Sequence, residues 1–406
     1  MHVFVIILSW LIALAWTLRV FTALRQLPRL PNLLDGRHDP PSQTSFEDRP
    51  QVTVIVPACN EAQAIEATLR SLLAQTIPLE ILAVDDRSTD RTGAIMDRIA
   101  SEPLPPGKFV GVLHVEALPA GWLGKPHAMA RAARGAATPW LLFTDGDMLF
   151  REDALERALH YAQVATADHV VVWPSLILKT KGERMVAGIF QSLLVLTWNP
   201  WRIADPKALR DSVGMGAFNL IRSEAYRAVG GFESDPMEVV EDLRLGFRVK
   251  QQGFRQRLAF GRGLIRVHWA RGAFGMLHNL TKNIFATFRF SSLNMLLAVF
   301  AVALLCFAPL AGLFLAWPIR AASILSLVMV CAAFWIAGHY YNPKRDRIAS
   351  DSDIPFIYCL TFPIGAALVL YAMLRSWIVT VVRGGIVWRG TFYPLSELRR
   401  HAGPLR

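Results

Sequence analysis

Two carboxylates one residue apart follow an apolar run in the middle of the chain. Asp145 and Asp147 flank Gly146, directly after the run Trp-Leu-Leu-Phe at 140–143. A buried strand that ends in this way delivers both carboxylates to the carboxyl edge of a sheet, which is where open α/β sheets bind ligands. Hard oxygen ligands suit Mg²⁺ or Mn²⁺ carrying a phosphate, and the glycine permits a close approach of the backbone. A simple acidic turn at a strand end is the alternative.

Acidic residues also follow two earlier apolar runs. The first predicted strand leads into Pro57 and Glu61, and the second leads into Asp85 and Asp86. Carboxylates gathered at one sheet edge repel one another unless a cation or hydrogen-bond donors fill the space. The hydroxyls of Ser88-Thr89, which come next, are also typical of helix caps, but caps do not explain the two aspartates before them. Three acidic strand ends together favour a metal and phosphate site.

The elements that must position these residues alternate between strand and helix. This alternation predicts βαβ units, a mainly parallel sheet and an α/β fold. Pro57 is expected to end the first strand. The predicted strands are 52–56, 79–84, 109–115 and 140–143, and the predicted helices are 61–75, 90–101 and 125–135.

The composition points to a membrane protein. The 406-residue chain is 53% hydrophobic and has a positive mean hydropathy, which is too apolar for an ordinary soluble protein. The net charge of +11 is compatible with nucleic-acid binding, but the sequence contains no recognisable nucleic-acid module. Its cations cluster beside the apolar segments, so we predict anchoring on an anionic membrane surface and no nucleic-acid partner. These cations are Arg19, Arg25, Arg29, Arg37, Lys344, Arg345, Arg347, Arg399 and Arg400.

The apolar segments divide the chain. The first is favoured as an uncleaved anchor because no signal-peptide cleavage site follows it, and the arginines behind it place the next domain in the cytosol. Four scattered cysteines show no metal-ligand spacing and no disulfide framework, which fits a reducing compartment. We therefore predict a multi-pass protein of the inner (plasma) membrane. Its predicted parts are an anchor at 1–24, a linker at 25–50, a catalytic domain at 51–290, transmembrane helices at 291–382 and a basic tail at 383–406.

The path of the last apolar segment stays open. The blocks 291–317, 321–341 and 354–382 are each long enough to span a bilayer, although Pro363 is expected to interrupt the last one. Four crossings would place the basic tail outside, against the usual charge bias. A re-entrant or interfacial last segment would keep the tail inside.

Four motifs make the chain resemble the family 2 glycosyltransferases with the GT-A nucleotide-diphospho-sugar fold. They lie at 54–61, 84–90, 144–147 and 241–246, in the family's order and approximate spacing. The resemblance covers roughly residues 50 to 290 and implies a UDP-sugar donor. It implies that Glu61 and Asp86 contact the uridine, with Pro57 in the same donor-binding motif.

The resemblance also assigns the reacting groups. It implies that Asp145 and Asp147 meet the ribose and a diphosphate bound to Mg²⁺ or Mn²⁺, and that Asp242 is the catalytic base. Glu241 would orient Asp242, although an acidic pair at a helix N-terminus is also favoured by the helix dipole alone. Lys125 is a candidate second phosphate contact, with a solvated lysine at a helix start as the alternative.

The acceptor region is less well defined. Gly216 and Ala217 belong to a small-residue segment that lines the acceptor and sugar pocket in the family, and Trp269 would cap the acceptor site. Processive synthases carry Gln-x-x-Arg-Trp at this point, whereas this chain has Ile-Arg-Val-His-Trp at 265–269. The degenerate motif puts processive synthesis in doubt, and His268 is either a phosphate contact or a structural residue. The segment 281–285, which leads into the second apolar block, and the segment 388–393, after the last one, are similar to the non-processive branch. That branch includes bacterial enzymes that glycosylate hopanoids, carotenoids and sphingolipid-type acceptors.

The segment 188–201 supports a lipid acceptor independently, because it is too apolar for a solvated face. It is either a helix at the bilayer interface beside the site or a core helix of the domain. We predict an inverting, metal-dependent hexosyltransferase that moves a hexose or N-acetylhexosamine from a UDP-sugar to a hydroxyl of a membrane lipid at the cytoplasmic face. The alternatives are a processive polysaccharide synthase and a non-catalytic nucleotide-sugar-binding membrane protein.

Overall fold

The structure, a computed structural model, describes residues 2–41, 49–341 and 351–404. The predicted anchoring cations Lys344, Arg345 and Arg347 lie outside the described residues. The strands are β1 Val52–Ala58, β2 Leu79–Asp86, β3 Lys108–Val115, β4 Trp140–Phe143, β5 Met148–Phe150, β6 His169–Trp173, β7 Ser175–Leu176, β8 Asn219–Arg222, β9 Gln256–Phe260, β10 Ile265–Val267, β11 Gly385–Trp388 and β12 Thr391–Pro394. The helices are α1 His2–Gln26, α2 Ile65–Leu73, α3 Thr92–Ser101, α4 Gly124–Gly135, α5 Ala154–Val164, α6 Lys181–Thr197, α7 Ser223–Ala228, α8 Glu241–Gln251, α9 Gly272–Thr287, α10 Ser292–Gly312, α11 Trp317–Ile336, α12 Phe362–Val382 and α13 Leu395–His401.

A seven-stranded sheet forms the centre of the catalytic domain. Its strand order is β3-β2-β1-β4-β8-β6-β9, and every neighbouring pair is parallel except the two pairs that β8 makes. All seven residues of β1 are buried, as expected where helices cover both faces of a parallel sheet. A second sheet of order β5-β10-β7 lies beyond β4 in the chain. The predicted α/β fold with a mainly parallel sheet is confirmed.

Three predicted boundaries are wrong, each for a local reason. Pro57 lies inside β1, because β1 pairs with β4 only as far as Ile55 and the missing N–H therefore costs no bond on that side. The segment after β1 is a loop, and α2 begins at Ile65 rather than at Glu61. Pro363 does not interrupt α12 but occupies its first turn, where a helix needs no N–H from the residue.

Among the residues that the structure describes, four helical segments are long and apolar enough to cross a membrane, namely 2–29, 292–312, 317–341 and 356–382. They pack onto the catalytic domain through polar as well as apolar contacts. Arg19 of α1 donates hydrogen bonds to the side chain of Asn199 (2.6 Å) and to the carbonyl of Trp198 (2.5 Å) just after α6. A cation at this position satisfies carbonyls that the end of a helix leaves free.

The apolar segment predicted at 188–201 lies mostly within α6. Ile189 is fully buried and packs against Gly365 of α12, where a methyl group added to the glycine would come within 3.0 Å of it. A methyl group added to Gly188 would come equally close to the ring of Phe334 in α11. Helix α6 is therefore packed between the domain and the helices that are apolar enough to cross a membrane, so it combines features of both predicted alternatives.

A buried polar network supports the sheet behind the candidate site. His169 of β6 contacts the amide oxygen of Asn219 in β8 through Nε2, and its Nδ1 accepts from the side chain of Gln256 at 2.8 Å. Gln256 also bonds both the N–H and the carbonyl of Val213, at 2.8 Å each. These hydrogen bonds hold the backbone that leads into the small-residue segment. Burial lowers the pKa of His169 to about 4.

We predict that His169 makes the catalytic domain acid-sensitive. The unfolded chain binds a proton at this histidine near pH 6.5, whereas the folded chain does so only near pH 4. The contribution of His169 to the free energy of unfolding is therefore fully present above pH 7. It is lost as the pH drops towards 4, which lowers the free energy of unfolding by up to about 3 kcal/mol. Thermal unfolding of His169→Gln between pH 7.5 and pH 4.5 is expected to show a shallower pH dependence than the native protein. The exposed His401→Gln is the matched control, and an equally steep profile in His169→Gln would contradict the prediction.

Candidate active site

A buried ammonium group joins three elements at the carboxyl edge of the sheet. Lys125, in the first turn of α4, contacts Asp145 at the end of β4 (2.6 Å) and Glu241 at the start of α8 (2.8 Å). Burial opposes the charge of Lys125, but the carboxylates of Asp145 and Glu241 outweigh it and raise its pKa. Lys125 in turn lowers the pKa of Asp145 against the effect of burial. The lysine is an internal counter-ion and not a solvated surface residue.

The small-residue segment closes over this ion pair. The N–H of Gly216 donates to Oδ2 of Asp242 at 2.7 Å, and Oδ1 of Asp242 accepts from its neighbour's N–H, that of Leu243, at 2.8 Å. Gly214 packs directly on the backbone of Asp242, where a side chain would have no room. Ala217 is buried, and its carbonyl accepts from Thr144. Asp242 is thus oriented by two backbone donors and makes no ion pair with a described residue.

Asp147 is the carboxylate best suited to a metal ion. It forms no ion pair with any residue that the structure describes, and burial, with the charges of Asp145 and Glu61, raises its pKa to about 7. The described residues contain no preformed cluster of three or more ligands. Mg²⁺ and Mn²⁺ commonly take one or two carboxylates and complete their shell with phosphates and water, so this donor set fits an ion that arrives with a diphosphate. Asp145, the second predicted ligand, is already paired with Lys125.

The loops that follow β1 and β2 are fastened to each other. The side-chain oxygen of Asn60 accepts from the N–H groups of Thr89 (2.8 Å) and Asp90 (3.3 Å), and the N–H of Glu61 donates to the hydroxyl of Thr92 at 2.8 Å. Asn60 itself has a positive φ of 59°, a conformation that asparagine tolerates better than most residues. Glu61 is therefore held at the same edge as the other carboxylates, and burial raises its pKa.

Asp86 has partners that the sequence did not predict. Its side chain is fully buried, with one oxygen accepting from Arg87 (2.8 Å) and the other from Arg389 (2.8 Å). Arg389 belongs to the turn between β11 and β12, and it also donates to the carbonyl of Pro57 at 3.5 Å. The segment predicted as a basic tail thus folds back onto the ends of β1 and β2.

A second cation enters the site from α9. Lys282 interacts electrostatically with Glu241, Asp145 and Arg389, and its ammonium lies 4.9 Å from the ring centre of Trp388. Neither Lys282 nor Arg389 was predicted from the sequence as a site residue. Their segments, 281–285 and 388–393, were noted only for their similarity to the non-processive branch, because the distance between them in the chain hides their proximity.

Trp269 and His268 lie on the side of α6 and α9. Trp269 packs on Phe190, with ring centres 6.3 Å apart. Nε2 of His268 lies 3.7 Å from Glu183, which caps α6 and also accepts from the N–H of Gly272 at 2.6 Å. These contacts give His268 a structural setting between the starts of two helices, and they leave Trp269 half-buried beside an apolar layer.

We predict that Gly216 cannot carry a side chain without disturbing the ion pair. A methyl there would lie 2.7 Å from Oδ2 of Asp145 and 3.0 Å from Nζ of Lys125, both held by buried contacts. Gly216→Ala is expected to lower the free energy of unfolding by about 1–3 kcal/mol, read as a lower melting temperature. Gly135→Ala is the matched control because a methyl there meets nothing within 4 Å. Equal melting temperatures for the two variants would contradict this prediction.

Comparison with known proteins gives one family. Residues 53–229 match the model of the family described as Glycosyl transferase family 2. The 4,4'-diaponeurosporenoate glycosyltransferase of Staphylococcus aureus (strain USA300) is 23% identical over 387 residues, which is 94% of this chain and 99% of the relative. The matched range holds all three acidic strand ends, and β8 with the small-residue segment before it.

Two solved structures overlap the chain at low identity. A mannosyltransferase of Pyrobaculum calidifontis in complex with GDP-Man and Mn²⁺ gives a TM-score of 0.48 and 20% identity, over 83% of this chain and 100% of that one. TarS of S. aureus in complex with UDP-GlcNAc gives a TM-score of 0.39 and 14% identity, over 85% of this chain and 96% of that one. The family match over residues 53–229, on a sheet whose edge gathers the motif carboxylates, confirms the predicted resemblance to the family 2 glycosyltransferases, and the chain is a glycosyltransferase.

Proposed function

We propose that the protein transfers a hexose or N-acetylhexosamine from a UDP-sugar to a hydroxyl of a membrane lipid, with inversion at the anomeric carbon. The observation that carries the lipid acceptor is the position of α9. Lys282 on this helix faces the carboxylates of the site, while Phe285 and Thr281 on the same helix bond to Ser376 of α12. One helix diameter, about 10 Å, therefore separates the reacting groups from an apolar layer.

The relative from S. aureus supports the same class of acceptor. It is named as a glycosyltransferase of 4,4'-diaponeurosporenoate, a carotenoid-type compound, and it matches this chain over nearly its whole length. An apolar groove lies at the start of α6, beside the start of α9, and has a volume of about 420 Å³. It is lined by Gly182, Met185, Ile357 and Leu360, among others, and offers room for an apolar chain.

Asp242 is the general base of the proposed reaction. The acceptor hydroxyl loses its proton to Asp242 while its oxygen forms a bond to the anomeric carbon. The bond from that carbon to the diphosphate oxygen breaks, and the diphosphate leaves with the electron pair on the opposite face. Two backbone N–H groups orient Asp242, and it forms no ion pair with a described residue. Glu241 is buried against Lys125, so we assign it to holding the site together.

Asp147 would hold the divalent ion together with the donor's diphosphate. Such an ion supplies positive charge to the leaving group as the glycosidic bond breaks. Support for this assignment comes from the raised pKa of Asp147, in which burial and the neighbouring carboxylates outweigh the opposing charge of Lys125.

We predict the following for the purified enzyme with membrane lipids, Mn²⁺ and a panel of UDP- and GDP-sugars. The native protein is expected to make a lipid that carries a single sugar, detected by mass spectrometry, and excess EDTA is expected to abolish this product. Asp242→Asn should lower turnover about 10²–10⁴-fold because the base is lost. The amide nitrogen of asparagine cannot accept from one of the two backbone N–H groups, so a small fall in melting temperature is expected and turnover is compared well below it. The exposed Asp39→Asn is the control.

Several outcomes would contradict these assignments. Full turnover by Asp242→Asn would contradict the assignment of Asp242 as the base, and full turnover in EDTA would contradict the metal requirement. A long polysaccharide product would favour the processive alternative. Activity with GDP-sugars alone would contradict the UDP-sugar donor.

We further propose that α1, α10 and α11 cross the plasma membrane and that α12 lies along its cytoplasmic interface. Gly365 near the start of α12 packs on α6, and Ser376 near its end bonds to α9. Its exposed residues form one stripe and its opposite face is buried on those helices; the stripe contains Ile364, Tyr371, Ile378 and Val382. Arg375, whose one hydrogen bond goes to Tyr371, would be costly at the centre of a bilayer but is ordinary at an interface.

This topology predicts that the C-terminal segment shares a side with the catalytic domain. In a cysteine-free background, Ser101→Cys on the domain and Ser396→Cys on α13 should react with an impermeant maleimide only from the cytoplasmic side. Phe314→Cys, between α10 and α11, should react only from the opposite side. Labelling of Ser396→Cys from the same side as Phe314→Cys would show that α12 crosses the membrane and would contradict the interfacial position.

A further inference from the structure

We infer that Lys282 and Arg389 form a cationic side of the donor site and bind the diphosphate of the sugar donor. The inference rests on the proposed function, since a nucleoside diphosphate is the ligand it names. It assigns a role in the reaction to the C-terminal hairpin β11–β12, which lies about 150 residues beyond Asp242 in the chain.

Lys125 is not available for this task. Its ammonium already contacts both Asp145 and Glu241, so the cation predicted from sequence as a phosphate contact is neutralised inside the protein. The site also gathers Glu61 and Asp147, and these carboxylates would repel a diphosphate unless other cations face them. Lys282 and Arg389 are two further cations, and their charges act on both Glu61 and Asp145.

Arg389 is held in place by the protein. Asp86 accepts from one terminal nitrogen of its guanidinium and the carbonyl of Pro57 from the other, while Thr391 accepts from Arg87 at 3.2 Å and fastens the hairpin. A guanidinium has five N–H donors, so these contacts orient Arg389 and leave donors for a ligand. Asp86 is accordingly a positioning residue for this arginine.

The backbone at Arg389 also favours a role for its side chain. Arg389 and Gly390 are the two central residues of the hairpin turn, with φ values of 49° and 78°. A turn of this kind prefers asparagine at the first position, and a bulky residue there costs free energy. The turn therefore carries an unfavourable residue at the position whose side chain reaches the donor site.

Lys282 of α9 is the second cation of the proposed diphosphate site. It forms no hydrogen bond or ion pair with a described residue, and its ammonium lies over the ring of the buried Trp388, the residue next to Arg389. Burial, and the charge of Lys125, lower the pKa of Lys282. A phosphate would supply the counter-charge that the protein leaves out. When the bond from the sugar to the diphosphate breaks, the leaving oxygen gains negative charge beside these two cations.

The test measures the affinity of the full-length protein in detergent with Mn²⁺ for UDP, inorganic pyrophosphate and uridine. Arg389→Asn and Lys282→Met should each weaken the binding of UDP and of pyrophosphate about 10–100-fold and leave uridine within about twofold. Arg389→Asn suits the turn, so the hairpin is expected to stay folded. Lys282→Arg should restore most of the affinity. The exposed Arg383→Asn and Lys207→Met are charge-matched controls.

The other possible outcomes each contradict a specific part of the proposal. Unchanged or tighter UDP binding in Arg389→Asn would show that this arginine covers Asp86 and does not serve the diphosphate. A parallel loss of uridine binding would make both residues structural. A native protein that binds pyrophosphate but not UDP would contradict the uridine donor and leave the cationic side intact, and one that binds neither would overturn both.

Discussion

The site depends on one buried ammonium group shared by two carboxylates. Lys125 brings together the start of α4, the end of β4 and the start of α8 through its contacts with Asp145 and Glu241. Removing one partner from such a buried pair costs roughly 3–5 kcal/mol, because the charge left behind has no water around it. The three elements therefore have little freedom to move apart, and the loop that carries Gly216 is closed over them.

The carboxylates of the site differ in their surroundings. Asp145 and Glu241 form ion pairs with Lys125, whereas Asp147 and Asp242 form no ion pair with a described residue. Asp147 has a raised pKa, and Asp242 is held by two backbone N–H groups. Groups of the same type thus acquire different properties from their surroundings, which supports the proposed assignment of Asp147 to metal binding and of Asp242 to proton transfer.

The long apolar helices and the proposed reaction site meet at α9. This helix faces the carboxylates with Lys282 and bonds to α12 with the backbone of Thr281 and Phe285. Helix α12 then leads into the hairpin that places Arg389 on Asp86. The apolar layer, the proposed acceptor side and the proposed donor side are consequently parts of one packed unit.

The sequence alone determined the α/β fold, the acidic strand ends and the resemblance to a glycosyltransferase family, because alternating periodicity and motif spacing are local properties of the chain. It also predicted Lys125, Asp147 and Asp242 as site residues. Tertiary structure decided the pairing of Lys125, the burial of Asp86 and the entry of Lys282 and Arg389, since these contacts join segments as far as 303 residues apart. No local pattern encodes such a contact, because it arises only when α9 and the C-terminal hairpin fold against the edge of the sheet.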